Sequence, residues 1–143
     1  MGADIHAYLE ENINGTWVHF CNLDVDRSYM LFGVLAGVRD PYVPIAPLRG
    51  VPSDASQQVL KELDCWDLDA HSRTWYSLNE LLAFKGPVKM DIKSYFMRYF
   101  KEPYAAENQE YIMGTYQSFV DLILLKTGSR DPANVRVVMW FDN

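Results

Sequence analysis

Two Asp-x-His pairs, Asp4-x-His6 and Asp69-x-His71, are the residues of this chain best suited by type and spacing to chemistry. On a strand, residues two apart point the same way, about 7 Å apart along the rise. A carboxylate and an imidazole so placed can share a metal ion, or the carboxylate can orient the imidazole as a base. Asp4, His6 and His71 are therefore the candidate catalytic residues. With Asp142 as a spare carboxylate, Asp4, His6 and His71 are also the candidate ligands of a divalent metal, the one cofactor these pairs imply. The plainer alternative is coincidence, since three histidines among nineteen acidic residues pair easily.

Arginine offers a second chemistry. Arg27, Arg39 and Arg49-Gly50 fall at element ends and in a proline-rich stretch. The planar guanidinium fork matches carboxylate or phosphate, and a neighbouring glycine lets a ligand approach the backbone. Arg27, Arg39 and Arg49 are the candidate anion clamps, with Trp75, near His71-Ser72, completing the candidate binding set. The competing reading is salt-bridging to the surplus carboxylates. No G-x-S-x-G, P-loop, G-x-G-x-x-G or H-E-x-x-H is present, so nucleophilic catalysis has no motif behind it.

The elements that must hold these residues follow from periodicity. Asp4–Glu10 alternates, with Ile5, Ala7 and Leu9 on one face, and Asn14-Gly15 marks a hairpin into a returning strand at Thr16–Phe20. Asp26 is placed to cap a buried helix over about Arg27–Val38, in which Gly33 and Gly37 permit close approach of another element. Residues 39–53 carry four prolines and read as a long ordered loop. Ser53 or Asp54 caps a helix to about Leu63, and 64–72 reads as a second polar loop. Ser77 and Glu80 make a capping box for a short helix through Phe84. Ile92–Phe100 reads as helix, as does Glu107–Thr127, with Ile112, Tyr116, Phe119, Val120, Ile123 and Leu124 as its stripe and Gly128 as its stop. Val135–Asp142 is a final strand. The expected architecture is α+β: a small, mainly antiparallel sheet holding the hairpin and the C-terminal strand, with helices mostly on one face.

Bulk properties limit the partners. At 143 residues and 49% hydrophobic, the chain is expected to form one domain with a real core. Net charge is −6 and no basic stripe is visible, which argues against long nucleic acid as a partner. The start has charges and no apolar h-region, no stretch reaches membrane-span length, and Cys21 and Cys65 form no CxxC pair. The expected setting is a reducing cytoplasm, without membrane contact.

Met1-Gly2-Ala3-Asp4-Ile5-His6, Arg27-x-Tyr29-x-Leu31-Phe32, Leu35-Ala36-Gly37-Val38-Arg39, Arg49-Gly50, His71-Ser72 with Trp75, and Trp140-Phe141-Asp142-Asn143 together resemble a family of small uncharacterised bacteriophage and prophage proteins. The likeness spans nearly the whole chain. Such proteins usually have cysteine where this one has Ala3, which removes a thiolate ligand at that position. The resemblance implies an infected bacterial cytoplasm and an accessory role. Its matching positions are largely polar, among them Asp4, His6, Arg27, Arg39, Arg49, His71 and Asp142, and converged they would form an Asp/His/Arg pocket. Such a pocket suits a small phosphorylated ligand or nucleotide, with metal-assisted phosphoester hydrolysis as the possible reaction. The alternatives are a non-enzymatic acidic inhibitor of a host protein, and a sponge that holds a nucleotide without cleaving it.

Overall fold

The computed structural model describes residues 2–91 and 109–143. Its centre is a four-stranded antiparallel sheet made of β1 (Asp4–Ile13), β2 (Thr16–Leu23), β4 (His71–Ser77) and β6 (Val135–Asp142), in the order β2-β1-β6-β4. A short second sheet pairs β3 (Tyr42–Val43) with β5 (Lys89–Met90). Among the described residues the helices are α1 (Tyr29–Ala36), α2 (Gln57–Trp66), α3 (Leu78–Ala83) and α4 (Gln109–Thr127).

The two ends of the chain form the middle of the sheet. β1 lies antiparallel to β6 with Asp4 opposite Asp142 and His6 opposite Trp140. Being central, β6 is buried on both faces along Val135–Phe141, which explains its nearly unbroken apolar sequence. Successive residues point to opposite faces. Ile5, Ala7, Leu9, Val137, Met139 and Phe141 join the larger core with Leu31, Leu35, Leu81, Ile112, Tyr116 and Ile123 from α1, α3 and α4. Tyr8, Val138 and Trp140 join a smaller core under α2, built on Val59. Among the described residues, three helices thus cover one face and one helix covers the other, as the α+β reading expects.

Local chemistry explains the element ends. α1 is capped by Ser28, whose Oγ accepts from Leu31 N, and not by Asp26, so the helix is shorter than expected. It ends at Gly37 in the left-handed region (φ 68), whose N–H donates back to Gly33 and Phe32 carbonyls. Gly33 packs under Tyr42: a Cβ there would lie 2.7 Å from the Tyr42 ring. The cap of α2 is Ser56, where Ser53 or Asp54 was expected, and α2 continues to Trp66. The Ser77–Glu80 capping box is present as expected. In α4 the expected stripe is buried except Leu124, which is part of the exposed face. The expected helix at Ile92–Phe100 lies outside the described residues.

The largest correction concerns 64–72. In place of a polar loop, the chain runs through the end of α2, a single 3-10 turn at Asp67–Asp69, and then straight into β4. The alternating segment His71–Ser77 is short and polar on one side, and so gives a weak periodic signal. It is recruited as a strand by β6, which supplies the ladder hydrogen bonds. Cys21 and Cys65 are both free thiols, Cys21 half-buried and Cys65 exposed.

Candidate functional site

Most of the predicted site residues gather at one end of the sheet, where β1 begins and β6 ends. They do so in separate pairs. His6 Nε2 lies 2.7 Å from Asp142 Oδ2, with both side chains partly buried. The carboxylate only accepts hydrogen bonds, so it holds the imidazole proton on Nε2. Nδ1 has no hydrogen-bond partner among the described residues. The Trp66 ring rests on the imidazole, 4.0 Å between centroids. Asp142 Oδ1 also accepts from Asp4 N at 3.3 Å, which anchors the carboxylate from its other side.

Asp4 itself is engaged by Arg27. The pair is bidentate, Nε to Oδ1 and Nη2 to Oδ2, both 2.9 Å. The Arg27 hydrogen bond holds the Asp4 carboxyl below its ordinary range, against the opposing effect of desolvation. Gly2 allows this: a Cβ there would meet Arg27 Nη1 at 2.0 Å.

A groove of about 410 Å³ opens beside the dyad, lined by Asp4, His6, Tyr8, Asn22 and Asp24 among others. Its origin is a step in the sheet. β2 ends at Leu23 opposite Ala7, so Asp4–His6 projects past its neighbour. Tyr8 sits deeper on the same face, stacked 4.9 Å from Trp140, and burial pushes its phenol up to about 12, with Glu62 and Cys65 adding to the rise.

His71 lies on the other side. It pairs with Phe141, whereas His6 pairs with Trp140, and consecutive residues of β6 face opposite ways. A register shift between His71 and Thr74, with Ser72 at φ 53, places it there. His71 Nε2 contacts Asn143 Oδ1 at 3.2 Å and its Nδ1 contacts Ser72 Oγ at 3.0 Å. Arg39, at φ 67, donates to the same Asn143 oxygen at 3.3 Å. The four-ligand metal set expected from sequence is therefore not assembled: His71 is across the sheet and Asp4 is tied to Arg27. Among the described residues no three His, Cys, Asp or Glu side chains form a metal-holding group.

Arg49 and Trp75 are together, but away from this end. Arg49 lies 4.8 Å over the Trp75 ring and grips Glu80 through both Nη atoms, at 2.8 and 2.5 Å. Two of the three expected anion clamps, Arg27 and Arg49, are thus in bidentate ion pairs with carboxylates.

Sequence reasoning missed Trp66 as the cover of His6, Asn143 as the partner of His71 and Arg39, and a buried network on the α2 face. Arg136 Nε bonds Glu10 Oε1 at 2.7 Å with both side chains almost wholly buried. A signal for that network was present. Arg136 is the one charge within Val135–Phe141, and a buried charge requires a partner.

No protein-family model, curated protein or solved structure matches this chain. Among the described residues, no helix is long and apolar enough to cross a membrane.

Proposed function

We propose that this is a small phage-type accessory protein that binds a hydroxyl- or amine-bearing small molecule in the groove beside His6, with His6 as the proton-exchanging group. The observation that carries the reading is the His6–Asp142 dyad. A carboxylate orients the ring through Nε2 at 2.7 Å, a tryptophan covers one ring face, and His6 lines an open groove. This is the arrangement of an oriented general base, in which the carboxylate stabilises the imidazolium formed on proton uptake.

Charge decides the ligand class. Asp4, Asp24 and Asp142 lie in or beside the groove, among the described residues no arginine or lysine lines it, and the Arg27 guanidinium that meets Asp4 is held there by both carboxylate oxygens. A phosphate dianion placed there would face like charges, whereas an amine or a hydroxyl finds acceptors. The phosphorylated ligand expected from the sequence is therefore the less favoured form of this reading.

Histidine ring NMR tests it. The His6 ring signals are followed while nucleosides, polyamines and the matching nucleotides are titrated in. Saturable shifts with nucleoside or amine, weakened in Asp142→Asn, are expected. Silence of the His6 ring across the panel, or tighter binding of each nucleotide than of its nucleoside, overturns the proposal. Recovery of the bound molecule unaltered identifies a binder, and recovery of a product identifies turnover.

The inhibitor reading keeps one specific support. Leu68 is 89% exposed between Asp67 and Asp69, on a turn pinned by Arg73, whose guanidinium donates to the Asp67 and Ala70 carbonyls. Under that reading Leu68→Asp, and not His6→Ala, removes the protein's effect on its host.

A further inference from the structure

The sheet has two edge strands, β2 and β4, and they are treated differently. The outer side of β4 is covered by the proline-rich segment. Gly50 N donates to Arg73 O at 2.9 Å, Arg49 Nη1 to Trp75 O at 3.1 Å, and Arg49 N to Thr74 Oγ1 at 3.2 Å. Ser72 in the left-handed region further disrupts that edge. These are the usual devices that stop an edge from recruiting another strand.

Among the described residues, β2 has none of this cover. Among the described residues, no backbone hydrogen bond reaches it other than those from β1, and the single further contact to its carbonyls is Cys21 Sγ on Asn22 O at 3.1 Å. Its sequence, Thr-Trp-Val-His-Phe-Cys-Asn-Leu, contains no Asp, Glu, Lys, Arg or Pro. With 22% of the chain charged, eight residues would carry about two charges, and edge strands favour them. Val18 is 42% exposed in the middle of its first half. One protective feature remains: the register with β1 shifts by a residue at Leu9/Glu10, so Phe20 is a bulge. The regular stretch on its near side is Thr16–His19.

From this contrast we infer that β2 pairs antiparallel with β2 of a second copy of the chain, through Thr16–His19. An open row of N–H and C=O groups calls for an extended strand, and the edge chemistry selects which one. A two-fold axis lets the open stretch of each β2 satisfy the other. The resulting eight-stranded sheet would end on both sides in β4, whose edge is already covered. Charge agrees. Two chains of net −6 repel over most of their surfaces, and β2 itself carries no carboxylate.

The test is the solution mass of the intact chain by sedimentation across a concentration series, joined to hydrogen exchange. The wild type should dimerise, and protection of the β2 amides should rise with concentration. Val18→Lys should raise the dimer dissociation constant by at least about tenfold, a difference worth roughly 1.4 kcal/mol. Val18→Thr, which keeps strand propensity without charge, should remain dimeric. A wild type that stays monomeric throughout overturns the inference. So does a dimer that Val18→Lys leaves unchanged and whose β2 amides gain no protection. Unchanged circular dichroism of Val18→Lys shows that loss of pairing is not loss of fold.

Discussion

Arg136→Met should be among the most damaging single substitutions in this protein, and the structure allows its size to be worked out. The Arg136 guanidinium bonds Glu10 at 2.7 Å and Asp54 at 3.0 Å, and lies 3.8 Å from the centre of the Trp17 ring. Glu10 is fully buried, and its second oxygen accepts from Ser56 N at 2.6 Å, at the start of α2. Removing Arg136 leaves that carboxylate buried with one neutral donor. Breaking a buried pair in this way costs about 3–5 kcal/mol. That is a large part of the roughly 5–15 kcal/mol that holds a domain together. The reverse change is milder. In Glu10→Gln the arginine keeps Asp54, whose side chain is 64% exposed, and the amide oxygen still accepts from Ser56, while the amide NH2 faces Arg136 Nε–H donor to donor, so part of the cost remains. The double variant Glu10→Gln/Arg136→Met removes both charges and retains the Ser56 bond. It should be more stable than Arg136→Met alone, giving a coupling of about 2 kcal/mol. Urea unfolding of the four proteins measures this through the midpoints at constant slope. A cost below about 1 kcal/mol for Arg136→Met, or strict additivity in the double variant, would refute the reasoning, because the pair would then not be desolvated as described.

Glu80 gives a pH prediction with a definite sign. Arg49 holds its carboxyl down to about 2 from an ordinary 4.5, so the pair's stabilisation is complete above pH 4.5 and is lost as pH falls through 2. The Tm gap between wild type and Glu80→Gln should therefore narrow steadily below pH 4.5, and a gap that stays constant to pH 2 would contradict it. Gly33→Ala should destabilise although alanine favours helix, because the added methyl would lie 2.7 Å from the Tyr42 ring and 3.0 Å from Asp40 O. A loss of about 1–3 kcal/mol is expected by urea unfolding, and a gain would show that the α1–β3 contact is looser than described.

Much of the fold was legible because its signals are local. The Asn14-Gly15 turn, the Ser77–Glu80 box, the α4 stripe and the apolar run of β6 each lie within one segment, and each formed. Helix starts were misplaced by two or three residues where several candidate caps stood side by side. Asp26 lost to Ser28, and Asp54 to Ser56, because the winning residue is the one whose hydroxyl meets an N–H three positions on. Asp54 was then free to pair with Arg136. β4 was missed because a short strand with a polar side carries little periodicity of its own and is defined by its neighbour.

The candidate site divides in the same way. By itself the sequence determined which residue types were available: acids, imidazoles and guanidinia at strand and helix ends, in a chain whose first and last strands share a sheet. Which of them touch was decided only by the tertiary structure. Asp4-x-His6 looks like one unit, yet Asp4 turns to Arg27 while His6 takes its carboxylate from Asp142, at the far end of the chain. Asp69-x-His71 looks like its duplicate, yet the shift between His71 and Thr74 puts His71 on the opposite face. The physical reason is parity. Spacing within one strand fixes the side on which a residue lies only until a bulge intervenes, and the partner across the ladder is set by a register that no single segment contains.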